Sequence, residues 1–343
     1  MQLNLLILIL LPLASFSQSL REFNLTKYTF NTSIRAIHVV DENTVWFAGS
    51  NGLYGHTKDG GRSWVIDSLS HPLVPKLEFR SIAVTKNAVF ILSIGTPALL
   101  FKIIDEGGDW KLVYQENHQK AFYDSMAFWD DENGIAMGDP TDGCLSIILT
   151  NDGGNTWTKL NCDELPPTID GEAAFAASNS NISLFENHAW VVTGGSRARV
   201  FHSPDKGNSW EVFNTPIIEG GTMTGIYSVD FYDENQGIIF GGDWENKEVN
   251  TDNKANTSDG GKTWQLVGDG SDPGYRSCVQ YIPGTGRQKI IAVGIPGISV
   301  SEDAGVSWLA VSDESYYTIQ INRSGKSAWL AGKGVLARME WTN

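Results

Sequence analysis

The chain is built from short apolar segments separated by polar turns. One stretch shows the pattern well: apolar or alternating runs cover 125–129, 134–138, 144–150 and 158–162, with turn residues between them. Runs of five to seven residues that alternate or stay apolar are typical of buried β-strands. The same order of four strands recurs along the sequence. The pattern therefore predicts an all-β repeat protein with scarcely any helix.

An eight-residue signature follows the third strand of most repeats. Its eight positions are, in order, Ser or Thr, any residue, Asp, any residue, Gly, any residue, Ser or Thr, and Trp. Clean copies occupy 57–64, 150–157, 203–210, 257–264 and 301–308, and a degenerate copy occupies 103–110. Their tryptophans lie 44 to 54 residues apart. A fixed period near this length indicates a propeller or another repeat array.

One further unit lacks the signature and its fourth strand. Its strands are predicted over 317–322, 327–332 and 335–341, while 23–30 offers a spare strand before the first repeat begins at Arg35. We therefore predict a seven-bladed β-propeller whose N-terminal strand completes the last blade and closes the ring. Closure of this kind limits the exposed edges of the sheets.

The signature resembles the Asp-box (BNR) repeat of sialidases and related propellers, in which the box is the peripheral turn between the third and fourth strands. Its Asp accepts backbone N–H groups, its Gly allows a positive φ, and its Trp packs between neighbouring sheets. These properties favour a structural turn over a catalytic or metal-binding role for the box aspartates. They are Asp59, Asp105, Asp152, Asp205, Asp259 and Asp303.

The arrangement of repeats over 34–341 is most similar to the photosystem II stability and assembly factor family and its non-photosynthetic relatives. Segments such as Thr257-Ser258-Asp259-Gly260-Gly261-Lys262-Thr263-Trp264 carry the resemblance. It implies a propeller that acts as an assembly or binding factor. Because one fold hosts many functions, the resemblance predicts the fold more sharply than the ligand.

Charge and the N-terminus restrict the partners and the compartment. The formal net charge is −15, and no basic tract reverses it, which argues against nucleic acid as a partner. The apolar run 3–13 is too short to span a bilayer and precedes a small-residue cleavage pattern. We predict a signal peptide over 1–17 and a single exported propeller domain over 18–343, monomeric and without a transmembrane span.

The starts of the inner strands carry the candidate binding residues. Aligning the repeats predicts that the middle residue of each starting triplet points towards one mouth of the channel, whereas the fourth repeat aligns poorly near Ala176. Three guanidiniums on that rim would form an anion site suited to a carboxylate. Alternatively, each arginine pairs with an acid such as Glu78, Asp124 or Asp313 and braces the ring. The aligned residues are Arg35, Arg80, Asp124, Tyr227, Arg276 and Tyr317.

Two functional classes follow from this rim. In the first, a non-catalytic binding or assembly factor holds an acidic peptide, a protein C-terminus or a glycan, and Arg197 in a neighbouring loop adds a further cation. The second is a sialidase-like glycoside hydrolase. The sialidase resemblance would make Arg35, Arg80 and Arg276 the clamp for the substrate carboxylate.

The same resemblance would assign the remaining catalytic roles to nearby side chains. Tyr227 or Tyr317 with Glu172 would be the nucleophile pair, and Asp124 or Asp139 would be the acid. We favour binding, because the sialidase segment Phe-Arg-Ile-Pro occurs here only in part, over 79–82. The histidines lie at spacings unlike those of metal ligands, and no dinucleotide glycine fingerprint occurs, so no metal or cofactor is predicted.

The three cysteines yield a testable prediction. Cys144 and Cys162 each lie nine positions from Gly153, so a hairpin turning at that box would place them opposite one another. Cys278 falls in a predicted inner strand as a small buried residue. We expect a Cys144–Cys162 disulfide, worth up to about 3 kcal/mol, and a reduced Cys278. Alkylation of the denatured, unreduced protein should label one thiol by intact mass, and three labelled thiols would contradict the pairing.

Overall fold

The computed structural model describes residues 19–104 and 109–342. The predicted signal peptide over 1–17 and the box aspartate Asp105 lie outside the described residues. Two short 3₁₀ turns, Ser50–Gly52 and Cys162–Glu164, accompany the strands. In the described part of the chain, no helix has the length and apolar character needed to cross a membrane. The strands are β1 (Phe23–Val39), β2 (Val45–Gly49), β3 (Leu53–Thr57), β4 (Val65–Ser68), β5 (Phe79–Val84), β6 (Val89–Ser93), β7 (Ala98–Ile103), β8 (Lys111–Glu116), β9 (Tyr123–Phe128), β10 (Gly134–Thr141), β11 (Cys144–Thr150), β12 (Thr158–Lys159), β13 (Glu172–Ala173), β14 (Ile182–Phe185), β15 (His188–Val192), β16 (Gly194–Gly195), β17 (Arg199–Ser203), β18 (Glu211–Asn214), β19 (Thr224–Phe231), β20 (Gly237–Asp243), β21 (Lys254–Thr257), β22 (Gln265–Leu266), β23 (Cys278–Tyr281), β24 (Ile290–Gly294), β25 (Gly297–Ser301), β26 (Leu309–Ser312), β27 (Thr318–Ile321) and β28 (Ser327–Trp341).

Antiparallel pairing joins these strands into six sheets. Four sheets have four strands each, in the orders β5-β6-β7-β8, β12-β11-β10-β9, β14-β15-β17-β18 and β23-β24-β25-β26. Two sheets have six strands each, in the orders β27-β28-β1-β2-β3-β4 and β13-β16-β19-β20-β21-β22. The all-β propeller class predicted from the sequence is therefore what the chain forms.

The predicted count of seven blades is wrong: with each hydrogen-bonded sheet counted as one blade, the described strands form six. Strand β1 is continuous, with 23–29 pairing with 335–341 of β28 and 34–39 pairing with β2. The units predicted as the first and the last are consequently one six-stranded sheet. The physical reason is that residues 30–33 carry the chain onward with a register shift instead of a turn, so no gap separates the two sets of strands.

Burial follows the position of each strand within its sheet. Every residue of β6 and of β24 is buried, whereas every residue of the outer strand β4 is exposed. Middle strands pack against neighbouring sheets on both faces, which accounts for their continuous apolar sequence. Box tryptophans fill the space between sheets: the Trp157 ring lies edge-on to Phe128 of its own sheet and to Phe90 of the next, at centroid distances of 5.6 and 6.3 Å.

The box residues form a repeated set of turn hydrogen bonds. In the box at 203–210, Asp205 Oδ1 accepts the Ser209 N–H (2.8 Å), Oδ2 accepts the Ser209 hydroxyl (2.7 Å), and Ser203 Oγ accepts the Gly207 N–H (2.8 Å). The equivalent bonds recur in the box of Asp59, where the hydroxyl and N–H of Ser63 lower the pKa of the aspartate to about 2. The carboxylate therefore acts as the acceptor that holds the turn.

The turn bonds predict a loss of stability on removing one carboxylate. Asp205→Ala leaves two donors of Ser209 without their acceptor and should lower the free energy of unfolding by about 1–3 kcal/mol. Urea unfolding at pH 7 measures the change. The matched control is Asp313→Ala, which removes an exposed aspartate outside any box and should have little effect. Equal stability of the two variants would mean that the box carboxylate does not hold the turn.

Candidate functional site

The segment 174–181, here called the axial segment, runs through the centre of the ring. The Asn179 side chain donates to the Ile82 carbonyl (3.1 Å) and accepts the Met126 N–H (3.0 Å). The Ser178 hydroxyl donates to the Ser277 carbonyl (2.7 Å), and the Ser178 carbonyl accepts from the Thr318 hydroxyl (2.9 Å). The axial segment thus contacts inner strands on several sides of the ring. The four partners are Ile82, Met126, Ser277 and Thr318.

The sequence of the axial segment suits this position. Its residues are Ala, Ser and Asn apart from Phe175, and small side chains fit the narrow space between inner strands. Asn179 adopts φ 58°, a left-handed conformation that Asn tolerates better than most residues. Sequence reasoning missed the segment. The available signal was the poor alignment of the fourth repeat near Ala176, at the point where the chain crosses the ring.

β-Bulges direct the predicted rim residues out of the regular ladder. Arg35, Arg80, Asp124 and Tyr227 are each the residue skipped where the register of an inner strand shifts against its neighbour. A bulge leaves one residue unpaired and re-aims its side chain. The repeated bulge is therefore the device that presents equivalent side chains to the mouth of the channel.

The structure corrects the alignment of Arg276. Gln280 and Gln320 hold equivalent places, because the Oε1 atom of each accepts a backbone N–H from the next inner strand (2.9 and 2.6 Å). Tyr317 lies three residues before Gln320, and the residue three before Gln280 is Ser277. Arg276 is thus one residue out of register. A slip of one residue reverses the direction of a strand side chain, so Arg276 does not join the rim.

Arg276 instead bonds within its own surroundings. Its Nη1 donates to the Tyr275 carbonyl and its Nη2 to Ser299 Oγ of β25, both at 2.8 Å, and only 4% of the residue is exposed. Burial lowers the pKa of Arg276 to about 10, although the negative charges of Asp272 and Glu248 act to raise it. The predicted triad of arginines is therefore a pair.

Arg35 and Arg80 do converge, and both hold the axial segment. Arg35 Nη1 donates to the Ala177 carbonyl at 3.4 Å, and Arg80 Nη1 donates to the Ala176 carbonyl at 2.8 Å. The Arg35 guanidinium also lies 3.9 Å from the ring centroid of Tyr317. Burial lowers the pKa of both arginines, that of Arg80 to about 10 with a further lowering from Arg35. We call Arg35, Arg80 and Tyr317 the arginine mouth.

The acids near the arginine mouth leave the guanidiniums only partly compensated. Glu78 raises the pKa of Arg35 and of Arg80 through its charge, but within the described residues neither guanidinium is in an ion pair with it. Asp124 is fully buried, and burial together with the Asp139 charge raises its pKa well above the usual range, although the Arg80 charge and the backbone N–H groups of Ala176 and Asp139 act in the opposite direction. The mouth therefore keeps a net positive character in an acidic protein.

The other predicted catalytic residues are occupied elsewhere. Glu172 accepts from Arg199 Nε (3.0 Å) and Nη2 (2.5 Å) and from the Thr193 hydroxyl (2.7 Å), in a buried ion pair that the sequence did not reveal. The Tyr227 hydroxyl donates to the Met223 carbonyl at 2.9 Å. These bonds leave the sialidase arrangement of nucleophile, partner and arginine triad unassembled.

The remaining candidates lie apart from the mouth. Arg197 is exposed and forms an ion pair with Glu219 at 2.5 Å. Cys144 and Cys162 are joined with an S–S distance of 2.00 Å, and Cys278 is buried. Across 19–104 and 109–342, no group of three or more His, Cys, Asp or Glu side chains is placed to hold a metal ion. A groove of about 860 Å³ between turns 282–285 and 324–326 holds none of the predicted site residues.

Comparison with known proteins supports the family resemblance and the fold. A family model described as photosynthesis system II assembly factor YCF48 matches residues 16–120, less than half of the chain. A structure of YCF48 bound to D1 peptide is 16% identical, with a TM-score of 0.66, and covers 95% of this chain and 100% of that chain. No curated protein matches.

Two further structures extend this comparison. YCF48 from Cyanidioschyzon merolae is 14% identical, with a TM-score of 0.63, covering 93% of this chain and 98% of that chain. The WD40 repeats of RRP9 are 10% identical, with a TM-score of 0.64, covering 95% and 99%. At these identities, the structural likeness shows the propeller fold alone. Together with the family model, it confirms the predicted resemblance to photosystem II assembly-factor propellers.

Asp139 gives a prediction on pH dependence. Burial raises its pKa to about 6, although its Oδ1 accepts the Ala174 N–H of the axial segment at 2.8 Å. Because the folded pKa lies above the unfolded one, the stability that the protonated form provides is lost as pH rises through about 6. Asp139→Asn keeps the acceptor and removes the charge, so it should be about 2 kcal/mol more stable than wild type at pH 8 and nearly equal at pH 4.

Urea unfolding at both pH values measures this difference. Asp313→Asn, at an exposed position, is the control for the loss of one carboxylate. A constant offset between Asp139→Asn and wild type at both pH values would show that Asp139 does not titrate in a buried environment.

Proposed function

We propose that this chain is an exported, non-catalytic assembly or binding propeller that holds the carboxylate of a partner polypeptide at the arginine mouth. The observation that carries the proposal is the pair of guanidiniums on neighbouring sheets, each with one donor on an axial-segment carbonyl and with no carboxylate of residues 19–104 or 109–342 in an ion pair. A guanidinium presents five N–H donors, so both retain donors for a ligand.

The surroundings favour a carboxylate over a neutral group. Arg35 and Arg80 are half-buried, burial lowers the pKa of both, and the Arg35 charge lowers the pKa of Arg80 further, so an anion between them would relieve both burial and repulsion. Carboxylates accept two parallel N–H bonds from a guanidinium, which fixes their orientation. An acidic side chain, a C-terminus or an acidic glycan offers this group, and we favour the polypeptide terminus.

The axial segment limits how a partner enters. It fills the centre of the ring behind the two arginines and bonds to inner strands on several sides. A chain cannot thread through the propeller at this segment, so a ligand at the mouth has no passage beyond it. A terminal carboxylate satisfies this constraint directly.

Two further observations support the proposal. The chain resembles photosystem II assembly factors, and a similar propeller, YCF48, has a structure bound to D1 peptide. Export is supported by the signal sequence predicted over 1–17 and by the Cys144–Cys162 disulfide, since disulfides persist in oxidising compartments.

The test compares free and blocked carboxyl termini. A pool of random octapeptides is prepared in carboxylate and amidated forms, and the bound fraction is quantified by mass spectrometry. The carboxylate pool should be retained preferentially by the wild type. Arg35→Gln or Arg80→Gln should cost about 2–5 kcal/mol of binding if the pair is desolvated on binding, against under about 1 for a solvent-screened charge.

Arg62→Gln is the matched control, because Arg62 is exposed and lies in a box turn away from the arginine mouth. Its binding should equal that of the wild type. Thermal melting of each variant separates lost binding from lost folding. Equal retention of the amidated and carboxylate pools by folded wild type would refute the proposal.

A further inference from the structure

The loop after β20 presents an aromatic side chain on the same face as the arginine mouth. Strand β19 carries the bulge of Tyr227 near its start, and β20 returns antiparallel to it, with Asp243 paired to Thr224 at that end. Trp244 follows directly and is 39% exposed. Its ring lies 4.4 Å from Lys247 Nζ.

A continuous row of contacts joins Trp244 to the arginine mouth. The backbone N–H of Trp244 and the hydroxyl of Tyr227 both donate to the Met223 carbonyl, at 3.1 and 2.9 Å. The Tyr227 ring lies edge-on to Tyr275 at 4.7 Å, and both rings pack in one buried cluster with Ala177, whose carbonyl accepts from Arg35. Tyr227 and Tyr275 are each only 2% exposed, so Trp244 is the member of this row that a partner can reach.

The loop holds the indole on a fixed support. Asp243 Oδ1 accepts the N–H groups of Glu245 and Asn246, at 2.8 and 3.1 Å, and the Lys247 carbonyl accepts the Tyr275 N–H at 2.9 Å. A side chain that is already ordered loses little conformational entropy on binding. Exposed tryptophans of this kind are frequent among the residues that dominate binding energy.

Charge fixes the direction of a bound chain. The Trp244 loop carries Asp243, Glu245 and Glu248 against the single cation Lys247, whereas the arginine mouth is cationic. A terminal carboxylate is attracted to Arg35 and Arg80 and repelled from the loop. A chain that spans both features therefore places its terminal carboxylate at Arg35 and Arg80 and its upstream residues at Trp244. Complementarity of this type sets the register and orientation of a partner.

We propose that Trp244 is an apolar subsite of the arginine mouth, taking an aromatic or aliphatic side chain upstream of the partner's terminal carboxylate. This inference rests on the proposed function. It adds a preference for sequence to the preference for a carboxylate. The partner is thus a polypeptide that ends in a free carboxylate and carries an apolar side chain a few residues before it.

The experiment selects a random octapeptide library with a free carboxyl terminus on the full chain and then measures the selected peptides in carboxylate and amidated forms. The wild type should enrich aromatic and aliphatic residues at a fixed upstream position. Trp244→Ala should abolish that enrichment and weaken the selected peptides about tenfold, while keeping the requirement for a carboxylate. Trp244→Phe should restore most of the enrichment. Leu309→Ala is the control, since Leu309 is similarly exposed, at 44%, on an outer strand.

The possible outcomes separate the two proposals. No carboxylate-dependent selection by folded wild type would overturn the proposed function and this inference with it. Carboxylate-dependent selection without an upstream apolar preference, or with a preference that Trp244→Ala leaves unchanged, would overturn the inference alone. Loss of enrichment in Trp244→Ala but not in Leu309→Ala, with unchanged melting of both, would establish the subsite.

Discussion

Residues 23–29 near the N-terminus pair with 335–341 near the C-terminus and so hold both ends of the chain in a single sheet. The same strand continues through Arg35 and pairs with β2. The pairing that joins the ends therefore also positions one of the two arginines at the mouth. Because a propeller sheet buries its faces only against its neighbours, opening this sheet would expose the apolar surface on either side of it.

The second constraint is the desolvation of Arg35 and Arg80. Two half-buried cations side by side are unfavourable unless polar groups face them. The axial segment supplies two backbone carbonyls, from Ala176 and Ala177, which compensate part of the cost without adding a negative charge. Burial raises the pKa of Asp124 well above its usual range, so this neighbouring carboxyl adds little negative charge beside the two arginines. The site is consequently held together without a ligand, and its uncompensated positive charge is the feature on which the proposed function rests.

The sequence predicted some of these features for definite physical reasons. Box turns are local, so spacing alone located Asp59 and Asp205, and the symmetric placement of two cysteines needed only a hairpin. The bulge positions of Arg35 and Arg80 followed from aligning inner strands. The same alignment placed Arg276 wrongly, because the sequence does not reveal a slip of one residue between repeats and only inter-strand hydrogen bonds fix the register.

Local patterning thus determined the all-β class, the repeat, the box turns and the face on which candidate residues lie, because each depends on neighbours within one repeat. The number of hydrogen-bonded sheets, the path of 174–181 through the ring, the Glu172–Arg199 ion pair and the turning away of Arg276 were decided only by tertiary structure. The direction of the Arg276 side chain depends on strand register, whereas the other three features join residues from different sheets. Their contacts depend on how the ring closes, which no single repeat encodes.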